Sequence, residues 1–271
     1  MRPSLLLALF ISLTFAAHPA SASTSDEHPV IAYSAETLPS GTFTLGLWDI
    51  GYAPTDWLIL ETYTWPWLLR VANASLKLRF YKGEDWTFSG KIGALRLDMQ
   101  AIADDAPPTV LWAVPFELSV TWRLNDRWSL SSSFIYTSVI QDGSYESDDL
   151  KGAAGYSNSQ MTFQALFRLN KGWSLFLRSR HLLKVKISGE IQTTVPIDAY
   201  THLETHASAS ADDLLGMGFP QTLHVVPGLA WNGETFFFEA GLGYGNFNIP
   251  GLNFFIPDRS VVPQFDLGWR W

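Results

Sequence analysis

The chain has 271 residues, with 18 Lys and Arg against 26 Asp and Glu, a formal net charge of −8. Charged residues make up 16% and aromatics 14%, including 12 Trp and 18 Phe, and there is no Cys. The acidic balance argues against nucleic acid as a partner. The lack of Cys removes disulfides, thiolate chemistry and a lipoprotein anchor from the expectations.

Residues 1–22 read as a secretory signal peptide: Arg2 gives a positive start, Leu5 to Ala17 an apolar stretch, and Ala20-Ser21-Ala22 a small-x-small cleavage site. No later stretch approaches the roughly 18 apolar residues of a membrane helix, yet the charged fraction is well under the roughly 25% of a soluble domain. An exported, aromatic-rich and charge-poor chain fits a membrane β-barrel. A secreted β-sandwich is the competing class.

Residues 23–40 are mostly polar and irregular. From residue 41 a pattern repeats, in which a strand ends, a tight polar turn follows and Trp marks the turn. The turns are Ala53-Pro54-Thr55-Asp56-Trp57, Lys82-Gly83-Glu84-Asp85-Trp86, Leu124-Asn125-Asp126-Arg127-Trp128, Leu169-Asn170-Lys171-Gly172-Trp173 and Trp231-Asn232-Gly233-Glu234. Such tetrads are hairpin chemistry. Trp57, Trp86, Trp128, Trp173 and Trp231, with Trp269 and Trp271, suit a girdle at one membrane interface, the ring in lipid and the indole N–H near water. The opposite connections, 99–109, 140–157, 196–216 and 246–262, read as long loops. The first three are acidic. The last carries the apolar run Ile249 to Pro257, which is expected to fold into the mouth against its own barrel, with capture of a hydrophobic solute or a partner as the alternative.

Between these marks the chain alternates. Phe116, Leu118, Val120 and Trp122 oppose Glu117, Ser119, Thr121 and Arg123; Phe236, Phe238, Ala240, Leu242 and Tyr244 oppose Phe237, Glu239, Gly241 and Gly243. Period two over many segments is a sheet with two different faces. Taking 42–50 as one strand gives eleven. Single-chain bacterial barrels have even counts. An extra strand near residues 29–35 would restore parity. That segment could instead thread the lumen, or the count could fail near Trp65-Pro66-Trp67.

The last residues, Phe265-Asp266-Leu267-Gly268-Trp269-Arg270-Trp271, set four apolar side chains against Asp, Gly and Arg. Together with the signal peptide and the alternation, this terminal aromatic strand resembles Gram-negative outer-membrane β-barrel proteins. The resemblance covers residues 41–271 and names no subfamily. It implies an all-β, transmembrane, antiparallel up-and-down barrel of about 12 (10–12) strands in the cell outer membrane. Short turns would be periplasmic and long loops extracellular. It also implies membrane lipid as surroundings and the outer-membrane assembly machinery as a partner of the C-terminal strand.

The phase assigns Lys77, Arg79, Lys91, Arg96, Glu117, Arg123, Arg178, Arg180, Glu239, Asp266 and Arg270 to the lumen, because charges on the lipid face are costly. Bases dominate that set, which favours small anionic solutes in a passive channel. The opposing reading is a plugged barrel with Arg forks paired to Glu117, Glu239 and Asp266. His202, Glu204 and His206 alternate in a polar stretch; their chemistry suits a divalent metal, but no further ligand follows from sequence, so a solvated loop is preferred and no cofactor is expected. Gly155-Tyr156-Ser157-Asn158-Ser159 lacks the last glycine of the hydrolase elbow. No motif of outer-membrane phospholipases or omptin-type proteases can be matched. A rim enzyme and a closed structural or adhesive barrel are the alternatives to a channel.

Overall fold

A computed structural model describes residues 33–68, 70–98, 110–142, 150–196, 202–212, 223–245 and 260–271. The expected signal peptide and the connections 99–109 and 246–259 lie outside the described residues. The strands are β1 (Phe43–Gly46), β2 (Asp49–Thr55), β3 (Leu58–Tyr63), β4 (Ala72–Lys82), β5 (Trp86–Asp98), β6 (Val110–Arg123), β7 (Trp128–Asp142), β8 (Leu150–Arg168), β9 (Trp173–Pro196), β10 (His202–Asp212), β11 (Leu223–Asn232), β12 (Phe236–Gly245) and β13 (Ser260–Arg270). A short helix α1 (Thr64–Leu68) follows β3.

Each strand pairs antiparallel with its neighbours, and β13 returns to β1, so the sheet closes. At the seam Phe43 N–H donates to Trp271 O (2.9 Å) and Trp271 N–H to Phe43 O (3.0 Å). Closure leaves no edge of unpaired amides in a medium without water. β10 pairs with Lys186–Pro196 of β9, and β11 with Trp173–His181 of the same strand. They lie in line on one edge, so the wall has twelve positions.

The count of twelve is reached differently from the expectation. Residues 42–50 are not one strand, because the chain reverses at Leu47-Trp48 between β1 and β2. No Asn-Gly or Pro marks this turn. It is held from outside, with Leu47 N–H donating to Leu267 O (2.8 Å), Trp48 Nε1–H to Phe265 O (2.8 Å) and Thr64 N–H to Trp48 O (3.0 Å). Residues 33–35, the end of the proposed extra strand, are not strand at all. Residues 29–32 lie outside the described residues.

Wall height varies. β1, β2 and β3 have four, seven and six residues, whereas β8 and β9 have 19 and 24. At roughly 3.3 Å per residue β9 runs roughly 80 Å, far beyond a hydrocarbon core of roughly 30 Å even when tilted. Much of what was expected as polar loop in 140–157 and 196–216 is therefore strand. β8, β9 and β10 continue past the barrel as a three-stranded sheet. The polar composition that suggested loops is what a strand outside the membrane needs.

The two faces differ as a membrane wall requires. Leu76, Phe80, Ile92, Phe116, Leu118, Leu130, Phe134, Leu175, Leu177, Leu242 and Phe265 are exposed on the exterior. Thr87, Ser89, Ser119, Thr121, Ser131, Ser133, Gln160, Thr162 and Gln164 are buried inside. The barrel interior, not a layer between sheets, is the core. Apolar patches within it are small, such as Leu166 with Phe176, Val226 and Ala230. The exterior would be an aggregation surface in water and is at rest in lipid.

Candidate functional site

The lumen is crossed by the chain itself. Tyr33, Ser34, Ala35, Glu36, Thr37 and Leu38 are all buried and touch strands around much of the wall. Ser133 Oγ donates to Tyr33 O (3.0 Å) and Lys77 Nζ to Ser34 O (2.8 Å). Ala35 N–H donates to Thr121 Oγ1 (2.8 Å). The Glu36 carboxylate accepts from Thr87 Oγ1 (2.9 Å) and from Arg123 Nη2, with Arg79 Nη1 3.9 Å away. Leu38 packs on Ala53 and Ile59. The segment leaves through a turn at Gly41, whose φ of +80° suits glycine. Its N–H donates to Ala53 O at 2.7 Å before the chain enters β1.

Tyr33 is the first described residue of this strap. Its ring lies 5.0 Å from Arg178 Cζ and 5.6 Å from Arg180 Cζ, and its hydroxyl accepts from Arg180 Nη2. Two guanidiniums on one ring are a cation–π arrangement. A polar strap suits a polar wall, since every carbonyl and amide it buries needs a partner.

Of the charges expected inside, Lys77, Arg79, Lys91, Glu117, Arg123, Arg178, Arg180, Glu239, Asp266 and Arg270 lie on the interior face. Arg96 does not, and that expectation is corrected. Lys91 and Arg96 are an odd number of residues apart on β5, and the β5–β6 register runs unbroken, so they face opposite sides. Arg96 sits outside, its Nη2 3.5 Å from Asp98 and its Cζ 6.0 Å from the Trp112 ring.

The interior also holds acids that sequence reading passed over: Glu36 on the strap, Asp49 on β2 and Glu61 on β3, all buried. Glu61 pairs with Lys91 and accepts from Ser75 Oγ (3.3 Å). Ile59, Glu61 and Tyr63 share the inner face of β3. With these three acids added, acids and bases among the described inner-face residues are nearly balanced, so the basic wall is corrected to one of mixed charge. Arg178 donates to Glu239 Oε1 (2.7 Å) and to Gln164 Oε1 (2.9 Å). Two guanidiniums hold short turns, Arg123 on Gly83 O (3.2 Å) and Glu84 O (2.9 Å), and Arg270 on Glu234 O (3.0 Å) and Gly233 O.

Trp57, Trp86, Trp128, Trp269 and Trp271 are exposed on the exterior, and Trp173 and Trp231 are half-buried. All seven lie at the short-turn end. Trp86 stacks on Trp122 (5.1 Å, interplanar 2°), and Trp173 lies against Trp231 (5.0 Å). His202, Glu204 and His206 fall at alternate positions of β10, whose side chains lie outside the described residues. Among the described residues no group of His, Cys, Asp or Glu could hold a metal. Gly155 to Ser159 runs straight along β8, not through a turn.

An apolar outer face, a polar paired inner face and a closed sheet decide the architecture. The chain is a membrane β-barrel with a strap of its own across the lumen. No family model and no curated protein matches. Among solved structures, the chain is similar to the monoaromatic hydrocarbon channel CymD, at 10% identity and a TM-score of 0.41, covering 86% of this chain and 67% of that one. The Pseudomonas putida toluene transporter TodX is matched at 10% and 0.31, over 84% and 77%. The attachment invasion locus protein Ail of Yersinia pestis is matched at 14% and 0.24, over 69% and 97%.

Proposed function

We propose that the protein is an outer-membrane passage for small solutes, kept shut by its N-terminal strap. The observation that carries this is the path of Tyr33 to Leu38, which bonds to β4, β5, β6, β7 and β9 across the lumen. A twelve-position barrel is wider than the roughly eight strands that side chains alone can fill, so a second element is needed to close it. The strap is held mainly by polar bonds, which water can replace at modest cost when it leaves. Near-balanced interior charge supports weak ion selectivity in place of anion preference. Insertion would use the C-terminal strand, whose exposed Phe265, Trp269 and Trp271 are the features the assembly machinery would read.

The test is planar-bilayer conductance of the refolded chain beside a variant lacking residues 23–41. The full chain should be silent or show brief openings, and the deletion should give stable steps with little ion preference. A deletion variant that folds, shown by heat-modifiable gel mobility, yet stays silent would sink the reading. That result would favour the second one, a closed adhesive or structural barrel. It draws on the β8–β9–β10 sheet standing beyond the wall.

A further inference from the structure

We infer that the outer edge of β10 pairs with β10 of a second copy of this chain, joining barrels in two facing membranes. The sheet order ends on β10. Among the described residues β10 is paired on one side only, by Lys186–Pro196 of β9. Its other side offers the N–H and C=O groups of alternate residues along an 11-residue strand, a template for strand addition. Natural edges are usually guarded by Lys, Pro, a bulge or short length. His202–Asp212 contains no Lys, Arg or Pro, and its register to β9 runs without a shift. The edge also stands clear of lipid. From Trp173 to Lys186, β9 rises roughly 33 Å at roughly 3.3 Å per residue and a tilt of roughly 40°. That exceeds an apolar band of roughly 25 Å, so β10 lies beyond it.

Symmetry and charge select the occupant. An edge that meets its own copy does so about a two-fold axis. In the full-length antiparallel register Ala207 meets Ala207, His202 stands opposite Asp212 at both ends, and Glu204 stands opposite Ser210. No acid meets an acid. A pair within one membrane would run the strands parallel. It would set Glu204 level with Glu204 and Asp212 level with Asp212, and like charges directly opposite are unfavourable. Antiparallel strands that rise from the membrane carry their barrels in opposite directions, so the partner sits in a facing membrane. The pairing is independent of passage through the barrel.

The test is clustering of phosphatidylcholine vesicles that carry the full chain, read by light scattering. Conduction plays no part in it, so its failure and that of the strap reading are separate results. Parent vesicles should cluster and protein-free vesicles should not. Ala207→Lys and Ala207→Glu each set like charges at the two-fold centre, so clustering should be lost in both. Mixing the Ala207→Lys vesicles with the Ala207→Glu vesicles should restore it, because opposite charges then meet. Heat-modifiable gel mobility shows that each variant is folded. No clustering by the parent, undiminished clustering by both variants, or no recovery in the mixture would each overturn the pairing. Dimers in detergent micelles without vesicle clustering would mean pairing within one membrane, and would overturn it too.

Discussion

Replacing Glu36 by Gln removes the charge that ties the strap to the wall while keeping its shape. In the parent the carboxylate is 8% exposed and faces Arg123, Thr87 and Arg79. Breaking a buried ion pair outright costs about 3–5 kcal/mol, because a charge is stranded. Arg123 is not stranded here, since Gly83 O, Glu84 O and Thr87 Oγ1 still accept from it. Gln also keeps one carbonyl oxygen as acceptor. The loss should therefore fall to that of a charge-assisted hydrogen bond, about 2 kcal/mol. That corresponds to about 30-fold in the equilibrium between strap bound and strap released. Hydrogen exchange read by mass spectrometry can follow it, because the Ala35 N–H is protected by Thr121 Oγ1 and the Gly41 N–H by Ala53 O. Peptides covering residues 33–41 should exchange about 30-fold faster in Glu36→Gln, by the same conversion, with β5 and β6 unchanged. Equal rates in parent and variant would refute the latch. Acceleration of the strands as well would mean that Glu36 holds up the barrel, not the strap.

Other substitutions test the wall. Arg178→Met leaves Glu239 buried without its counter-ion and should cost about 3–5 kcal/mol in urea unfolding, most of it recovered in the double variant with Glu239→Gln. Gly228→Ala would put a methyl 2.1 Å from Phe176 Cζ and 2.5 Å from Ala240 O, so a loss of about 1–3 kcal/mol is expected. Gly90→Ala meets only ordinary contacts, the nearest at 3.7 Å, and should be neutral in the same assay. Leu118→Arg on the exterior should lower folding yield into lipid vesicles by about 2–4 kcal/mol if it lies near the midplane. Arg96→Leu gives up an exposed pair and should shift stability by less than about 1 kcal/mol.

What the sequence settled by itself is local. Alternation has period two and needs no knowledge of distant residues, so the barrel class, the lipid-facing side chains and the positions of the short turns could be read directly. The same parity rule would have placed Arg96 outside, had it been counted from Lys91 along β5. Tertiary structure decided whatever depends on a partner far along the chain. The Leu47-Trp48 turn has no turn residues of its own and is held by β13 and α1, so the strand count waited for the fold. The strap has no periodicity, because it is neither helix nor strand. Its backbone bonds go to wall side chains 43 to 100 residues away. Whether a row of lumen bases attracts anions or is neutralised depends on which acids face it. Glu36, Asp49 and Glu61 supply that answer only once the barrel closes around them.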